Sequence, residues 1–148
     1  MKFSVLMSVY DKEKSEYLKE ALQSLVDQTL LPDEVILVED GPIGKNLQEV
    51  IKKYRSLLNI KSIKLENNCG LAVALNEGLK HCTHDLVARM DTDDISLPER
   101  FEKQIAYMQN NPDISVSSGW IEEIDDQGRF FCLRKLPETH EELVNFAK

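Results

Sequence analysis

Short apolar runs alternate with segments of helical periodicity along most of the chain. Residues 35–38 read Val-Ile-Leu-Val, which is typical of a strand buried on both faces. Residues 17–26 instead repeat apolar side chains at the spacing of an amphipathic helix. Strands that alternate with helices build a mostly parallel sheet with helices on both faces. We therefore predict an α/β fold.

Capping residues and the same periodicities set the predicted boundaries. Ser15 is predicted to cap the first helix, and Ser96 with Glu99 reads as a capping box that opens a later helix. Thr139 with Glu142 is predicted to cap a final helix. The predicted strands cover residues 3–8, 34–39, 60–65, 86–90 and 114–118. The predicted helices cover residues 15–28, 47–58, 71–80 and the segment after 99. A predicted hairpin joins residues 121–124 to 130–133.

Three aspartates, Asp91, Asp93 and Asp94, directly follow the fourth predicted strand. Carboxylates about 4 Å apart repel one another by roughly 4 kcal/mol per pair at an effective dielectric constant near 20. A folded chain tolerates such a cluster if water disperses the charge or if a cation lies among the oxygens. Mg²⁺ and Mn²⁺ take oxygen ligands of this kind. The alternative is a polar loop that caps the next helix.

The place of these aspartates in the predicted sheet favours a ligand site. In open parallel sheets, ligands bind outside the carboxyl ends of the strands, where the strand order reverses. Asp40 ends the second strand and Asp91 follows the fourth, so both lie at that edge. Asp40 could accept hydrogen bonds from a ribose or a base edge, or it could simply form an Asp-Gly turn with Gly41.

Composition limits the classes of partner. The 148 residues suit one globular domain, residues 1–148, and the net charge of −8 argues against nucleic acid. No apolar run approaches the roughly 20 residues of a membrane span. The three cysteines lack metal-ligand spacing and indicate reduced thiols in a cytoplasmic protein. No glycine-rich loop follows the first strand, so a bound diphosphate would need a cation to neutralise it.

Several motifs, in order along the chain, resemble the start of a family 2 glycosyltransferase. They are Ser4-Val5-Leu6-Met7-Ser8-Val9-Tyr10, Asp27-Gln28-Thr29, Val38-Glu39-Asp40-Gly41, Asn68-Cys69-Gly70-Leu71 with Ala74-Leu75-Asn76-Glu77-Gly78-Leu79, and Arg89-Met90-Asp91-Thr92-Asp93-Asp94 followed by Pro98 and Arg100. The resemblance runs from about residue 3 to 128. It implies the GT-A fold, a sugar-nucleotide donor (a UDP-sugar before others), a divalent cation (Mn²⁺ or Mg²⁺) and transfer with inversion to a saccharide or lipid-linked acceptor.

The resemblance also implies roles for single residues. The implied nucleotide-sugar-binding residues are Ser8, Val9, Tyr10, Asp40, Asn68, Gly70, Arg89 and Asp91, and the implied metal ligands are Asp91, Asp93 and Asp94. Asp40 would lie near the base, and the sequence does not separate Asp93 from Asp94 as metal ligand. Many relatives carry arginine where this chain has Leu75. Arg89 and Arg100 are candidate replacements for that phosphate contact or, equally, ordinary ion-pair partners.

No residue has a clear signal for the general base that would activate the acceptor. In the family this base comes from the second half of the domain, whereas this sequence ends at Lys148, so we expect the N-terminal, donor-binding portion with its C-terminal part truncated. Glu122, Glu123 and Asp125 read as surface charge on the hairpin.

The expected activity is sugar transfer in surface polysaccharide biosynthesis, in the cytoplasm or peripherally at the inner face of the membrane. Two other functions stay open at this point. One is a module that binds a sugar nucleotide without turnover. The other is a Mg²⁺-dependent aspartate phosphatase or phosphotransferase, although the lysine and hydroxyl that it needs at neighbouring strand ends are not evident in the sequence.

Overall fold

The computed structural model describes residues 2–146, in which strands and helices alternate as far as α4. The elements are β1 (Phe3–Val9), α1 (Ser15–Val26), β2 (Glu34–Glu39), α2 (Lys45–Tyr54), β3 (Ile60–Lys64), α3 (Leu71–Leu79), β4 (Leu86–Arg89), α4 (Arg100–Asn110), β5 (Ile121–Ile124), β6 (Phe130–Arg134) and α5 (His140–Phe146). The chain divides into two compact units, Met1–Ile105 and Ala106–Lys148, and the boundary falls inside α4.

The first unit contains a four-stranded sheet in which every pair of neighbouring strands is parallel, as predicted. The strand order is β3-β2-β1-β4. The chain therefore builds the sheet from β1 through β2 to β3 and then crosses to the other side of β1 to add β4. Because the order reverses between β1 and β4, the carboxyl ends of these two strands form the switch point at which such sheets bind ligands.

Helices cover both faces of this sheet because alternate side chains of the strands point to opposite sides. On one face, Val5 and Met7 of β1 are fully buried in the main core together with side chains of α1, α2 and the start of α4. On the other face, Leu6 of β1 packs with Ala74 of α3. Each large aliphatic side chain buried in this way contributes about 1.5–3 kcal/mol, so the two cores hold the strand ends in a fixed arrangement.

Gly78 allows α3 to lie directly on the sheet. A Cβ atom added to it would lie 2.6 Å from a methyl carbon of Leu6 and 2.6 Å from a methyl carbon of Val38, and both neighbours are buried. We expect Gly78→Ala to lower the free energy of unfolding by about 1–3 kcal/mol, because overpacking outweighs the gain of roughly 1 kcal/mol in helix propensity. Urea unfolding measures this, with Gly119→Ala as control since a Cβ there meets open space. A Gly78→Ala protein as stable as the parent would contradict it.

Two predicted helix caps are wrong. Ser15 is the first residue of α1, whose N-cap is Lys14 and carries no side-chain capping bond. Likewise α4 begins only at Arg100, so Ser96 lies four residues before it. The Ser96 hydroxyl instead accepts a hydrogen bond from the guanidinium of Arg100 (3.0 Å). In both cases the serine lies near the start of an apolar periodic segment, but its side chain does not cap the helix.

The predicted strand over 114–118 is also wrong, because these residues form neither strand nor helix in the described structure. The backbone N–H of Ile114 donates to the carbonyl of Asn111 (3.0 Å), which makes a local turn, and Val116 is 79% exposed. The segment alternates apolar with polar residues, as a strand does, but it becomes a strand only where a neighbouring strand supplies a ladder of hydrogen bonds.

The second unit contains the predicted hairpin and the predicted final helix. β5 and β6 are antiparallel, and Oδ1 of Asp125 accepts the backbone N–H groups of Gln127 and Arg129 across the turn, where Gly128 has φ +74°. Thr139 and Glu142 form the predicted capping box, since each side chain accepts the backbone N–H of the other.

Two further expectations concern the whole described chain. All three cysteines are free thiols, as predicted. Between residues 2 and 146, no helix is both long and apolar enough to cross a bilayer. That residues 1–148 form a single domain stays a prediction.

Candidate functional site

The acidic segment forms a tight turn directly after β4. The backbone N–H of Asp94 donates to the carbonyl of Asp91 (3.4 Å), and the backbone N–H of Met90, just before the turn, donates to the carbonyl of Leu6 in β1 (3.1 Å). Asp93 and Asp94 are exposed, whereas Thr92 is only 4% exposed. The structure therefore places the predicted carboxylates at the switch point between β1 and β4. Thr92, between Asp91 and Asp93, is buried.

Asp91 and Arg89, both predicted to contact the donor, contact each other in the described structure. The Arg89 guanidinium donates to both carboxylate oxygens of Asp91, at 2.6 and 2.8 Å. Their side chains are 54% and 38% exposed. Exposed ion pairs of this kind contribute only about 0–1 kcal/mol, so a phosphate or a cation could displace either partner. The predicted role of each residue stays a prediction, and the pairing does not exclude it.

The carboxylates of the acidic turn repel one another. Although Asp94 is exposed, desolvation by the surrounding protein raises its pKa, and the charges of Asp91 and Asp93 raise it further, whereas Arg100 and Arg89 act to lower it. Arg100, at the start of α4, is the other predicted candidate for a phosphate contact, but its guanidinium donates to the backbone oxygen of Arg89 (3.0 Å) and to the Ser96 hydroxyl. Arg100 thus supports the end of β4, and added positive charge near Asp94 would be favourable.

A metal ion bound at the acidic turn would need ligands from the bound substrate as well as from the protein. Between residues 2 and 146, no group of three or more His, Cys, Asp or Glu side chains is arranged to hold a metal ion. A cage formed by Asp91, Asp93 and Asp94 together is therefore not present in this arrangement. Mg²⁺, however, is commonly held by one or two carboxylates together with substrate phosphates, and exposed oxygens of Asp93 and Asp94 fit that donor set. The assignment of the metal to these residues stays a prediction.

Asp40 anchors the loop that precedes α3. Its side chain is buried at the end of β2, where Oδ1 accepts the backbone N–H of Cys69 (2.7 Å) and Oδ2 accepts that of Gly70 (3.0 Å). The Asp40 backbone N–H in turn donates to the carbonyl of Val9 (2.8 Å). Asp40 therefore ties together the carboxyl ends of β1 and β2 and the loop that precedes α3. Each oxygen keeps lone-pair capacity for a base edge, and the contact of Asp40 with the base stays a prediction.

Gly41 and Gly70 supply backbone conformations that this loop requires. Gly41 has φ +87° and Gly70 has φ +88°, in the region that favours glycine. A Cβ on Gly41 would also lie 2.7 Å from the backbone nitrogen of Asn68. The turn after β2 and the loop at 67–70 therefore approach each other as closely as their backbones allow, with Asn68 and Gly70 exposed at the edge predicted to bind the donor.

The predicted nucleoside segment, residues 8–10 at the end of β1, lies between Asp40 after β2 and the acidic turn after β4. The Val9 side chain is fully buried in the main core, so only its backbone can take part in binding, which narrows the predicted role of that residue. The Ser8 carbonyl lies 3.3 Å from the hydroxyl of Thr92. Tyr10 is 43% exposed, and a partly exposed aromatic ring can stack on a base. The structure thus brings the predicted residues of β1, β2, β4 and the loop at 67–70 to one edge of the sheet.

Gln28 is a supporting residue that sequence analysis singled out only as part of a motif. Its buried amide nitrogen lies within 3.2 Å of the carbonyl oxygens of Ser24, Ser96 and Leu97, and its amide oxygen accepts the N–H of Phe101 (3.2 Å). Gln28 therefore fixes the segment between the acidic turn and α4 against the end of α1. These partners lie up to 73 residues away in the sequence, so periodicity gives no signal for them.

The acids of the hairpin are engaged within the second unit. Glu123 pairs with Arg134, and Asp125 pairs with Arg129 (2.7 Å). The carboxyl pKa of Asp125 is lowered by the backbone and side-chain hydrogen bonds from Arg129 and by the backbone hydrogen bond from Gln127. These contacts agree with the interpretation of hairpin surface charge.

Comparison with known proteins gives the family. The model of Glycosyl transferase family 2 matches residues 4–145. The amylovoran biosynthesis glycosyltransferase AmsE of Erwinia amylovora is 49% identical over 146 residues, which are 99% of this chain and 54% of AmsE. The UDP-Gal:alpha-D-GlcNAc-diphosphoundecaprenol beta-1,3-galactosyltransferase of Escherichia coli is 45% identical over 148 residues, 99% of this chain and 54% of that enzyme.

A solved structure shows the same fold. S. aureus TarS 1–349 in complex with UDP-GlcNAc superposes with a TM-score of 0.67 and 32% identity, covering 76% of this chain and 32% of the TarS chain. The chain belongs to glycosyltransferase family 2, and its fold is GT-A, as the motifs implied. It spans about half the length of the curated relatives that it matches.

Proposed function

We propose that this chain binds a UDP-sugar together with Mn²⁺ or Mg²⁺ and forms the donor-binding part of an inverting glycosyltransferase. The observation that supports this best is the acidic turn of Asp91, Asp93 and Asp94 at the switch point between β1 and β4. Ligands of open α/β sheets bind there, and clustered carboxylates at that place favour a cation.

The chemistry requires stabilisation of a leaving diphosphate. When bound, the divalent cation would act as a Lewis acid that neutralises the charge developing on the departing UDP. Asp93 and Asp94 are the residues that would hold it, because both are exposed on the turn, and Asp91 would face the ribose or the metal once released from Arg89. Arg89 would then be free to meet a phosphate oxygen.

The nucleoside would lie on the β1–β2 side of the same edge. Tyr10 offers an exposed ring for stacking, and the Asp40 carboxylate, held by Cys69 and Gly70, offers a further acceptor for a base N–H. Asn68 and Gly70 would border the donor from the loop before α3. Since the Ser8 and Val9 side chains lie on the two sheet faces, their contribution would come mainly from the backbone.

The relatives support the same donor class and setting. The galactosyltransferase relative is named for UDP-Gal and a diphosphoundecaprenol-linked acceptor, AmsE is named for amylovoran biosynthesis, and the TarS structure contains UDP-GlcNAc. By analogy, we propose transfer of a sugar to a saccharide or lipid-linked acceptor in surface polysaccharide biosynthesis, on the cytoplasmic side of the membrane. The general base is not assigned to any residue of this chain.

A donor panel tests this proposal. The protein is titrated calorimetrically with UDP-glucose, UDP-galactose and UDP-GlcNAc in the presence of Mn²⁺, and UDP release is followed in parallel. We expect saturable binding of at least one donor. Binding without UDP release would support the non-catalytic module, and release of phosphate from a simple phosphomonoester would support the aspartate phosphatase. No saturable binding of any of the three donors would contradict the proposal.

A further inference from the structure

Thr92 connects the acidic turn to the end of β1. Thr92 is only 4% exposed, whereas Asp91 before it is half-buried and Asp93 after it is exposed. The Thr92 hydroxyl lies 2.8 Å from Oε2 of Glu13 and 3.3 Å from the carbonyl oxygen of Ser8. A hydroxyl has one proton to donate, and the nearer, charged carboxylate is the stronger acceptor.

Glu13 is held in the loop after β1 by contacts on both sides. Its backbone N–H donates to the carbonyl of Tyr10 (3.1 Å), and its Oε1 accepts the backbone N–H of Lys14 (2.9 Å). The second carboxylate oxygen, Oε2, is the one that accepts the hydrogen bond from Thr92. The Glu13–Thr92 hydrogen bond therefore joins the loop that follows Tyr10 to the turn that carries Asp91 and Asp93, across 79 residues of sequence.

We propose that Thr92 is a positioning residue that acts through Glu13 to hold the acidic turn in register with the nucleoside segment. The inference rests on the proposed function and extends it. Thr92 contacts no ligand itself; rotation of the turn about this buried anchor would swing the neighbouring carboxylates away from the diphosphate position. Loss of the hydroxyl should therefore weaken the cation-dependent part of binding and spare the contacts made by the nucleoside alone.

Thr92→Val tests this, because valine keeps the shape of threonine and replaces its hydroxyl with a methyl group that cannot donate a hydrogen bond. We expect the affinity for UDP in saturating Mn²⁺ to fall about tenfold, while the affinity for uridine without metal, followed by NMR titration, changes less than twofold. Thr92→Ser retains a hydroxyl and should restore most of the UDP affinity. Thr29→Val is the matched control, since the Thr29 hydroxyl makes a similar bond to Glu102 (2.7 Å) elsewhere in the same unit.

Several outcomes would overturn the inference. They are a Thr92→Val protein with the UDP affinity of the parent, an equal loss for uridine and UDP that tracks a fall in Tm, and no recovery in Thr92→Ser. If the parent protein itself fails to bind UDP, the proposed function is contradicted. NMR spectra of the ligand-free protein then test the hydrogen bond between Thr92 and Glu13. Thr92→Val should shift the backbone amide signals of residues 8–14 as well as those of 91–94, whereas shifts confined to 91–94 would contradict a link through Glu13.

Discussion

An Asp40→Ala protein is expected to lose nucleotide binding and about 3–5 kcal/mol of stability. The carboxylate accepts the backbone N–H groups of Cys69 and Gly70, and hydrogen bonds to a charged acceptor contribute roughly 1.5–3 kcal/mol each. Without this anchor, the loop at 67–70 would leave its position beside the turn at Gly41. We expect UDP affinity to fall at least tenfold at a temperature where the variant is still folded, measured by calorimetry beside urea unfolding.

Two variants separate the site effect from the stability effect. Asp33→Ala also removes an aspartate that accepts a backbone N–H, that of Phe3 (3.0 Å), but at the amino end of the strands. It should cost stability without a specific loss of UDP affinity. Asp40→Asn keeps one carbonyl oxygen and should fall between Asp40→Ala and the parent protein. If Asp40→Ala binds UDP as tightly as the parent does, Asp40 has no part in the site.

The second large effect is expected for Glu34, the first residue of β2, which lies at the amino ends of the strands and away from the candidate site. This buried carboxylate accepts hydrogen bonds from Ser4 (2.7 Å), from the backbone and hydroxyl of Thr83 (2.7 and 2.8 Å) and from Lys61 (2.6 Å). Glu34→Ala would strip the buried Ser4 hydroxyl and the Thr83 N–H of their acceptor. We expect a loss of about 3–5 kcal/mol in the free energy of unfolding, with UDP affinity unchanged in the folded protein.

The pH dependence of stability tests the same network. Burial acts to raise the pKa of Glu34, but the hydrogen bonds from Lys61, Ser4 and Thr83 outweigh it and lower the pKa from 4.5 to about 2. Because the folded-state pKa lies below the unfolded one, this stabilisation is present above about pH 4.5 and is lost as the pH falls toward 2. The difference corresponds to at most about 3 kcal/mol, since Lys61 is half exposed and water screens its charge.

Glu34→Gln therefore should be much less stable than the parent protein at pH 7 and nearly as stable at pH 2.5. Urea unfolding across this range measures the difference. Glu99→Gln is the matched control, because Glu99 pairs with Lys103 at the exposed surface, where loss of the charge should change stability little. A stability gap for Glu34→Gln that is the same at pH 7 and pH 2.5 would contradict the assigned network.

The centre of the sheet was predictable because β1 and β2 are buried on both faces. Such strands appear in the sequence as uninterrupted apolar runs, as at residues 35–38, and the helices between them carry a clear apolar period. The predictions that are wrong concern segments whose structure depends on tertiary contacts. The run at 114–118 finds no ladder in the described structure, and Ser96 bonds Arg100 instead of capping α4.

The candidate site was predictable only in part, for a related reason. The strand pattern located the acidic turn and Asp40, since parallel strands bring their carboxyl ends to one edge. It gave no sign that Arg89 pairs with Asp91, or that Glu13 and Gln28 hold the turn and the segment after it. Those bonds join residues that are distant in sequence or depend on rotamers, and neither periodicity nor composition records such contacts.

The central claim is that carboxylates at this edge hold a cation that in turn holds a diphosphate. Calorimetric titration of the parent protein with UDP, once with Mn²⁺ and once with excess chelator, tests it most directly, with Asp93→Ala and Asp94→Ala measured beside it. The account predicts that binding requires Mn²⁺ or Mg²⁺ and is lost in one or both of the variants. Equal UDP affinity with Mn²⁺ and with chelator would contradict it.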